Sequence, residues 1–145
     1  MGFRFSLAAV LKLREAVENR ELYRLERLQQ EIAQTVQSLE QLNEQKHKHD
    51  ELCHDALVHE VHGMELMHWD QVRESLDARR STIEGALATL QSQRQQQLDK
   101  YQAARRDRQV LADMFKEQRK AYQLATDRKQ QRIQDDIFIS RRHRE

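Results

Sequence analysis

Apolar residues recur at three- and four-residue steps through the first third of the chain, from Leu7 to Leu42. Between Leu25 and Leu42 the spacing becomes a heptad repeat, in which about two positions in seven are apolar. Such a narrow stripe is typical of a helix that packs along one partner helix, because a helix on a globular core needs a wider apolar face. The pattern therefore predicts a long helix in a two-stranded coiled coil.

A second apolar series with similar spacing begins at Trp69 and continues to Ala125. It weakens around Arg94, where a seam position is polar. The two series are separated by residues 46–68, which contain Gly63 and many histidines. One continuous helix of about 130 residues would extend for about 195 Å and would need a partner chain along its whole length. We therefore expect the chain to reverse near Gly63, so that each stripe buries the other.

The fold class predicted is all-α, a long antiparallel two-helix coiled-coil hairpin that forms a single domain over residues 1–145. The first helix is expected at about 6–61, the turn near 62–65 and the second helix at about 66–140. A turn centred near Gly63 pairs Val10 with Phe115. It also leaves the second helix extending beyond its partner after Tyr122.

The composition agrees with a purely helical chain. Among the 145 residues there are no prolines and only three glycines, whereas 34% are charged and 38% are hydrophobic. Proline and glycine usually form the turns between strands, and a large apolar content is needed to fill a globular core. Because this chain has little of either, a β-sandwich, a doubly wound α/β fold and a disulfide scaffold are excluded. The longest apolar run ends at Lys12, which is too short for a membrane span. The single cysteine, Cys53, favours a reducing compartment.

Charge is distributed unevenly along the chain. Residues 1–20 carry a net charge of +2, residues 21–100 carry −6 and residues 101–145 carry +5. In a hairpin the paired termini are therefore basic and the turn is acidic. Acidic residues interrupt the basic clusters, and the segment Ile137–Ile139 has no seam partner, so we expect a protein partner at the terminal end and no nucleic acid.

The histidines are the most unusual local feature, because six of the seven lie between His47 and His68. Two sets would each share a helix face, a geometry that could hold zinc or nickel: His47, Glu51 and His54, and Asp55, His59 and His62. His59 and His62 are three residues apart, whereas a zinc-protease signature needs four. We favour a solvated helix end and expect no metal and no cofactor.

Residues with the pattern of a catalytic site are not apparent. A two-helix rod offers no pocket that could exclude water or shift the pKa of a catalytic group. There is no glycine-rich phosphate loop and no nucleophile convincingly placed beside a base. We therefore do not expect an enzyme.

The chain resembles the FliJ family of bacterial flagellar export proteins over its whole length. The resemblance is carried by the aromatic opening, the break near a glycine and the basic ending: Phe3-Arg4-Phe5-Ser6-Leu7, Val10-Leu11, Arg14, Glu18, Gly63, Asp135-Asp136-Ile137 and Arg141-Arg142. The histidine-rich region departs from the family pattern.

The resemblance implies a cytoplasmic, membrane-peripheral component of the flagellar type III export apparatus. Proteins like FliJ form an antiparallel coiled coil similar to the stalk of rotary ATPases. The implied partners are the hexameric export ATPase, the membrane export gate and export chaperones. Carried onto this chain, the contact with the ATPase ring involves Phe3, Phe5, Leu7, Ile137, Phe138, Arg141 and Arg142. The contact with the export gate involves Leu52, Trp69, Val72 and Leu76.

Two other functions remain open from the sequence. One is the stalk protein of an injectisome, which shares the mechanism but exports a different cargo. The other is a structural coiled-coil scaffold that homodimerises and contacts no ATPase.

Overall fold

A computed structural model describes residues 2–145; Met1, the first residue of the expected single domain, lies outside the described residues. The described chain contains two helices and no strand. Helix α1 comprises Ala8–Leu57 and helix α2 comprises Gly63–Arg142. The two helices pack against each other in antiparallel orientation, which confirms the predicted all-α hairpin.

The contact between α1 and α2 follows a heptad repeat that we call the seam. In α1 the buried and half-buried seam residues are Leu11, Glu18, Glu21, Leu25, Leu28, Ile32, Thr35, Leu39, Leu42, Lys46, His49, Cys53 and Ala56. In α2 they are Leu76, Arg80, Ile83, Leu87, Leu90, Gln97, Tyr101, Ala104, Arg108, Leu111 and Phe115. The seam is therefore much longer than the apolar repeat Leu25–Leu42, because polar residues occupy many of its positions.

Contacts divide the chain into two compact units. The terminal unit contains the chain up to Glu21 together with Tyr101–Glu145, and the tip unit contains Leu22–Lys100. In the terminal unit, Arg14 on α1 lies 3.5 Å from Asp107 on α2. In the tip unit, Lys46 on α1 lies 2.6 Å from Asp77 on α2. Within each unit, a segment of α1 thus runs antiparallel to a segment of α2.

The first helix begins two residues later than the sequence predicts. The amide of Ala8 donates to the carbonyl of Phe5 at 3.1 Å, and the first four-residue helical bond joins the amide of Leu11 to the carbonyl of Leu7 at 2.9 Å. Phe5 is buried against α2, so the chain first turns around this anchored ring and only then enters the helix.

The turn lies earlier than expected, and Gly63 has a different position in it. Helix α1 ends at Leu57, where the amide of His59 donates to the carbonyl of Ala56 in the tightened geometry common at helix ends. The connection is residues 58–62, and Gly63 is the first residue of α2. No described glycine has a positive φ. Gly63 therefore does not cap α1, and a five-residue connection reverses the chain instead.

At the terminal end, Glu18 pairs with Arg108, a register close to the one expected from the pairing of Val10 with Phe115. Phe115 also packs against Phe3 and Phe5, which precede α1, while Val10 is 39% exposed. Beyond Tyr122, α2 extends past this contact as expected, and residues 127–145 are all exposed.

The seam assignment predicts which leucines stabilise the fold. Leu25 is 6% exposed in the seam, whereas Leu13 is 62% exposed on the opposite side of α1. Replacing Leu25 by Ala should lower the free energy of unfolding by about 2–3 kcal/mol, because a buried leucine leaves a cavity. Urea denaturation followed by circular dichroism measures this change. Leu13→Ala is the control and should change the stability by less than about 0.5 kcal/mol; equal effects at both positions would contradict the seam.

Gly85 predicts a stabilising substitution. It lies inside α2, and a Cβ atom built at this position meets no neighbouring atom within 4 Å. A glycine within a helix costs about 0.8–1 kcal/mol relative to alanine. Gly85→Ala should therefore raise the free energy of unfolding by about that amount, and Ala88→Gly, on the same helix, should lower it similarly. Destabilisation by Gly85→Ala would show that another chain or segment approaches α2 closely there.

Candidate functional site

An aromatic cluster holds the start of the chain against α2. The ring of Phe3 lies 5.6 Å from that of Phe115 and 5.5 Å from that of Tyr122, measured between centroids. Phe5 packs edge-on against Phe115 at 5.4 Å and is only 7% exposed. Such tilted and edge-on pairs are the favoured aromatic geometries. Both phenylalanines therefore pack within the chain.

The C-terminal end of α2 carries exposed apolar side chains. Ile137, Phe138 and Ile139 lie near the end of α2, and Phe138 is 67% exposed. Arg141 and Arg142 form the last turn of the helix and are also exposed. The seven residues expected to contact the ATPase ring thus fall into two groups. Phe3, Phe5 and Leu7 pack onto the chain, whereas the four α2 residues are available to a partner.

An ion pair joins the two helices within the terminal unit. Arg108 Nε donates to Glu18 Oε2 at 2.6 Å, and Arg108 Nη2 donates to Glu18 Oε1 at 3.5 Å. This bidentate hydrogen bond raises the pKa of Arg108 above its usual value, because it stabilises the charged guanidinium. Both residues occupy seam positions, so the pair aligns α1 and α2 at this level.

The residues expected at the export gate do not form one exposed face. Leu52 is largely exposed, Trp69 and Val72 are half-buried, and Leu76 is 9% exposed. Leu76 is a seam residue and packs between the helices. A partner could contact Leu52 and the outer edges of Trp69 and Val72, but it could reach Leu76 only by separating α1 from α2.

The tip of the hairpin carries exposed apolar residues, of which the sequence analysis named only Leu52 as a contact residue. Five that are more than half exposed lie at the end of α1, in the connection and at the start of α2: Leu52, Leu57, Val58, Met64 and Met67. Together we call them the tip cap. A signal was present in the sequence, since Leu57, Val58, Met64 and Met67 lie outside the heptad repeat.

The histidines do not converge. His47 Nε2 lies 3.0 Å from Glu51 Oε1, and His49 Nε2 lies 3.7 Å from Cys53 Sγ. The face expected from Asp55, His59 and His62 does not exist, because α1 ends at Leu57 and both of these histidines belong to the connection. Across residues 2–145, no three histidine, cysteine, aspartate or glutamate side chains come together as metal ligands.

A second ion pair crosses the seam in the tip unit. Lys46 Nζ lies 2.6 Å from Asp77 Oδ1. The hydrogen bond from Lys46 and its positive charge lower the pKa of Asp77 below the usual aspartate value, and Arg73 and Arg80 act in the same direction. Partial desolvation opposes this shift without cancelling it. The Asp77 carboxylate therefore helps to hold α2 on α1.

Comparison with known proteins identifies a family to which the chain is similar. The family model described as "Flagellar FliJ protein" matches residues 3–145, which is nearly the whole chain. No curated protein and no solved structure matches it. In the described part of the chain, neither helix contains a stretch long and apolar enough to cross a membrane.

The Lys46–Asp77 pair predicts a pH dependence with a defined sign. Because the pKa of Asp77 is lowered in the folded state, the pair stabilises the protein above the usual aspartate pKa, and this contribution is lost as the pH falls through the folded pKa. Lys46→Met should move the pKa of Asp77 up toward 3.8, as measured by NMR titration of its carboxyl carbon. Lys48→Met, at an exposed lysine on the same helix, is the control. An Asp77 pKa that is the same in both variants would exclude the pair.

Proposed function

This chain belongs to the flagellar FliJ family and is a protein of flagellar export, and from this premise we propose that it acts as a stalk. The stalk would link the hexameric export ATPase to the export gate at the membrane and would also bind export chaperones. We place it in the cytoplasm, at the inner face of the cell membrane. It would act by binding and without catalysing a reaction.

The observation that carries this proposal is the free end of α2. Ile137, Phe138 and Ile139 are exposed and have no role in the packing of the hairpin. Arg141 and Arg142 add two positive charges beside them. Exposed apolar residues next to arginines are typical of protein interfaces. We infer that Ile137, Phe138, Arg141 and Arg142 contact the ATPase ring.

Phe3, Phe5 and Leu7 would support this contact. Phe3 and Phe5 anchor the start of the chain on Phe115 and Tyr122. Leu7 is half-buried at the beginning of α1. We propose that these three residues fix the base from which the free end of α2 projects, and that Phe3, at the outer edge of the cluster, also touches the ring. A deletion of the first residues would remove this anchor and is therefore a poor test of ring binding.

A stalk of this kind needs no catalytic group. Two adjacent helices are about 20 Å across, which suits the axial hole of a ring-shaped ATPase. An asymmetric coil in a symmetric ring presents a different surface to each subunit interface. Differential contacts then favour different conformations around the ring, and hydrolysis changes because these populations shift.

The contact with the export gate would lie on the tip unit. Leu52 is exposed there, and Trp69 and Val72 are partly accessible. Leu76 would contribute by holding α2 in the seam below these residues. The same unit contains the acidic part of the chain, so the two partners would meet surfaces of different charge.

The two other functions left open by the sequence, an injectisome stalk and a homodimeric scaffold, are less well supported than a flagellar stalk. The family match is to a flagellar protein, which favours the flagellar apparatus over an injectisome. A homodimeric scaffold would need apolar stripes left open for a second chain. The stripes of α1 and α2 bury each other within one chain, which favours the stalk.

The proposal predicts that ATPase stimulation depends on the free end of α2. A triple variant, Phe138→Ser with Arg141→Gln and Arg142→Gln, should bind the cognate ATPase at least about tenfold more weakly, since it removes one apolar and two charged contacts. Its stimulation of hydrolysis should disappear when the protein is titrated into the assembled hexamer. Circular dichroism should be unchanged, because all three side chains are exposed.

A matched control variant carries the same changes in another part of α2. Val110→Ser with Arg105→Gln and Arg106→Gln also removes one exposed apolar residue and two exposed arginines. It should stimulate hydrolysis like the unchanged protein. Equal loss of ATPase stimulation in both triple variants would indicate that stimulation depends on the overall positive charge of α2 and not on its free end. Failure of the unchanged protein to bind the hexamer would exclude the stalk and favour the scaffold.

A further inference from the structure

The tip cap exposes more apolar surface than the ends of a helical hairpin need. Met64 is 85% exposed and Val58 is 77% exposed, while Leu52 and Met67 are also largely open to solvent. All the members lie within the last turns of α1, the connection and the first turns of α2. Scattered apolar residues on a surface are ordinary, but five large ones at a single turn indicate a contact surface.

The rim of the tip cap is strongly acidic. Between residues 47 and 70 there is one lysine, Lys48, against six carboxylates, which gives a formal net charge of −5 with the histidines neutral. The carboxylates are Asp50, Glu51, Asp55, Glu60, Glu65 and Asp70. Apolar residues surrounded by negative charge favour a partner that is apolar at its centre and positive at its edges.

The negative charge of the rim distinguishes among the classes of partner that could bind the tip cap. An anionic membrane surface and a nucleic acid would both be repelled by the acidic rim. A second copy of the tip would bring two rims of the same charge together. A basic protein segment with an apolar face avoids each of these costs.

A groove between the helix ends indicates the shape of that segment. Its apolar lining is Leu57, Leu66 and Trp69, beside Cys53. Its polar lining consists of the carboxylates Asp50 and Asp70 together with His49 and Arg73. An amphipathic helix lays its apolar face into such a groove and its cations against the flanking acids. Met64 and Met67, which are close to Leu66 in the sequence, are exposed, unbranched and flexible, so they can adapt to different apolar side chains.

We propose that the tip cap and its groove bind a basic amphipathic helix of a partner protein. This deepens the proposed function, and rests on it, because it gives the chemical character of the partner at the gate-facing end. The apolar face of the bound helix covers Leu57, Met64 and Met67. Its lysines or arginines pair with the rim carboxylates.

Trp69 provides a direct readout, since it is the only tryptophan of the chain and lines the groove. The probe is a synthetic amphipathic helix of leucine and lysine, and its counterpart replaces every lysine by glutamate. The full chain should show a saturable change in Trp69 emission with the lysine peptide and none with the glutamate peptide. Binding should weaken as sodium chloride is raised, because salt screens the ion pairs.

Two triple variants separate specific docking from charge attraction alone. Leu52→Gln with Met64→Gln and Met67→Gln keeps the charge of the tip and removes its apolar residues. Its affinity for the lysine peptide should fall at least about tenfold, because apolar contacts at the centre of an interface dominate its affinity. The control, Leu13→Gln with Val110→Gln and Leu124→Gln, changes three exposed apolar residues elsewhere and should bind normally.

Three results would overturn this inference: equal binding of the peptide by both triple variants, binding to vesicles of anionic phospholipid that the tip variant loses, or self-association that depends on the tip residues. None of these measurements involves the ATPase, so this inference can fail while ATPase stimulation stays intact. Loss of ATPase stimulation with intact peptide binding would instead remove the stalk and leave the tip as a binding surface.

Discussion

The structure depends on the narrow width of the apolar stripe that each helix carries. Each helix carries about two apolar positions in seven, which is enough to bury one side of the helix against a single partner and too little to build a globular core. With so little apolar surface, α1 and α2 can satisfy their stripes only against each other. Most of the remaining surface is polar. The exposed apolar side chains that we propose as contact surfaces lie where the seam stops.

The seam stops at both ends of the hairpin, and the two ends are chemically different. In the terminal unit, α1 begins late, the aromatic cluster closes the packing, and α2 continues alone with exposed isoleucine, phenylalanine and arginine side chains. In the tip unit, the last turns of both helices expose leucine and methionine within an acidic rim. Each unit thus combines exposed apolar side chains with a net charge, positive in the terminal unit and negative in the tip unit, which suits the two different protein partners that we propose.

The apolar spacing was sufficient to predict the helices, the reversal and the free end of α2, because these follow from the repeat itself. It did not reveal the full seam, since Glu18, Lys46 and Arg108 occupy seam positions as charged residues and pair across it. The aromatic cluster was also missed, because Phe3 and Phe5 precede the helix and no periodicity links them to Phe115. The turn was predicted too late in the chain because it was centred on Gly63, whereas Gly63 begins α2.

The most direct test of the account is to ask which end of the hairpin touches the ATPase. A photo-crosslinking amino acid placed at Phe138 or at Met64, both exposed, reports the neighbour of each end in the assembled complex. The account predicts a crosslink from position 138 to the ATPase hexamer and none from position 64. Crosslinks to the ATPase from position 64, with none from position 138, would contradict it.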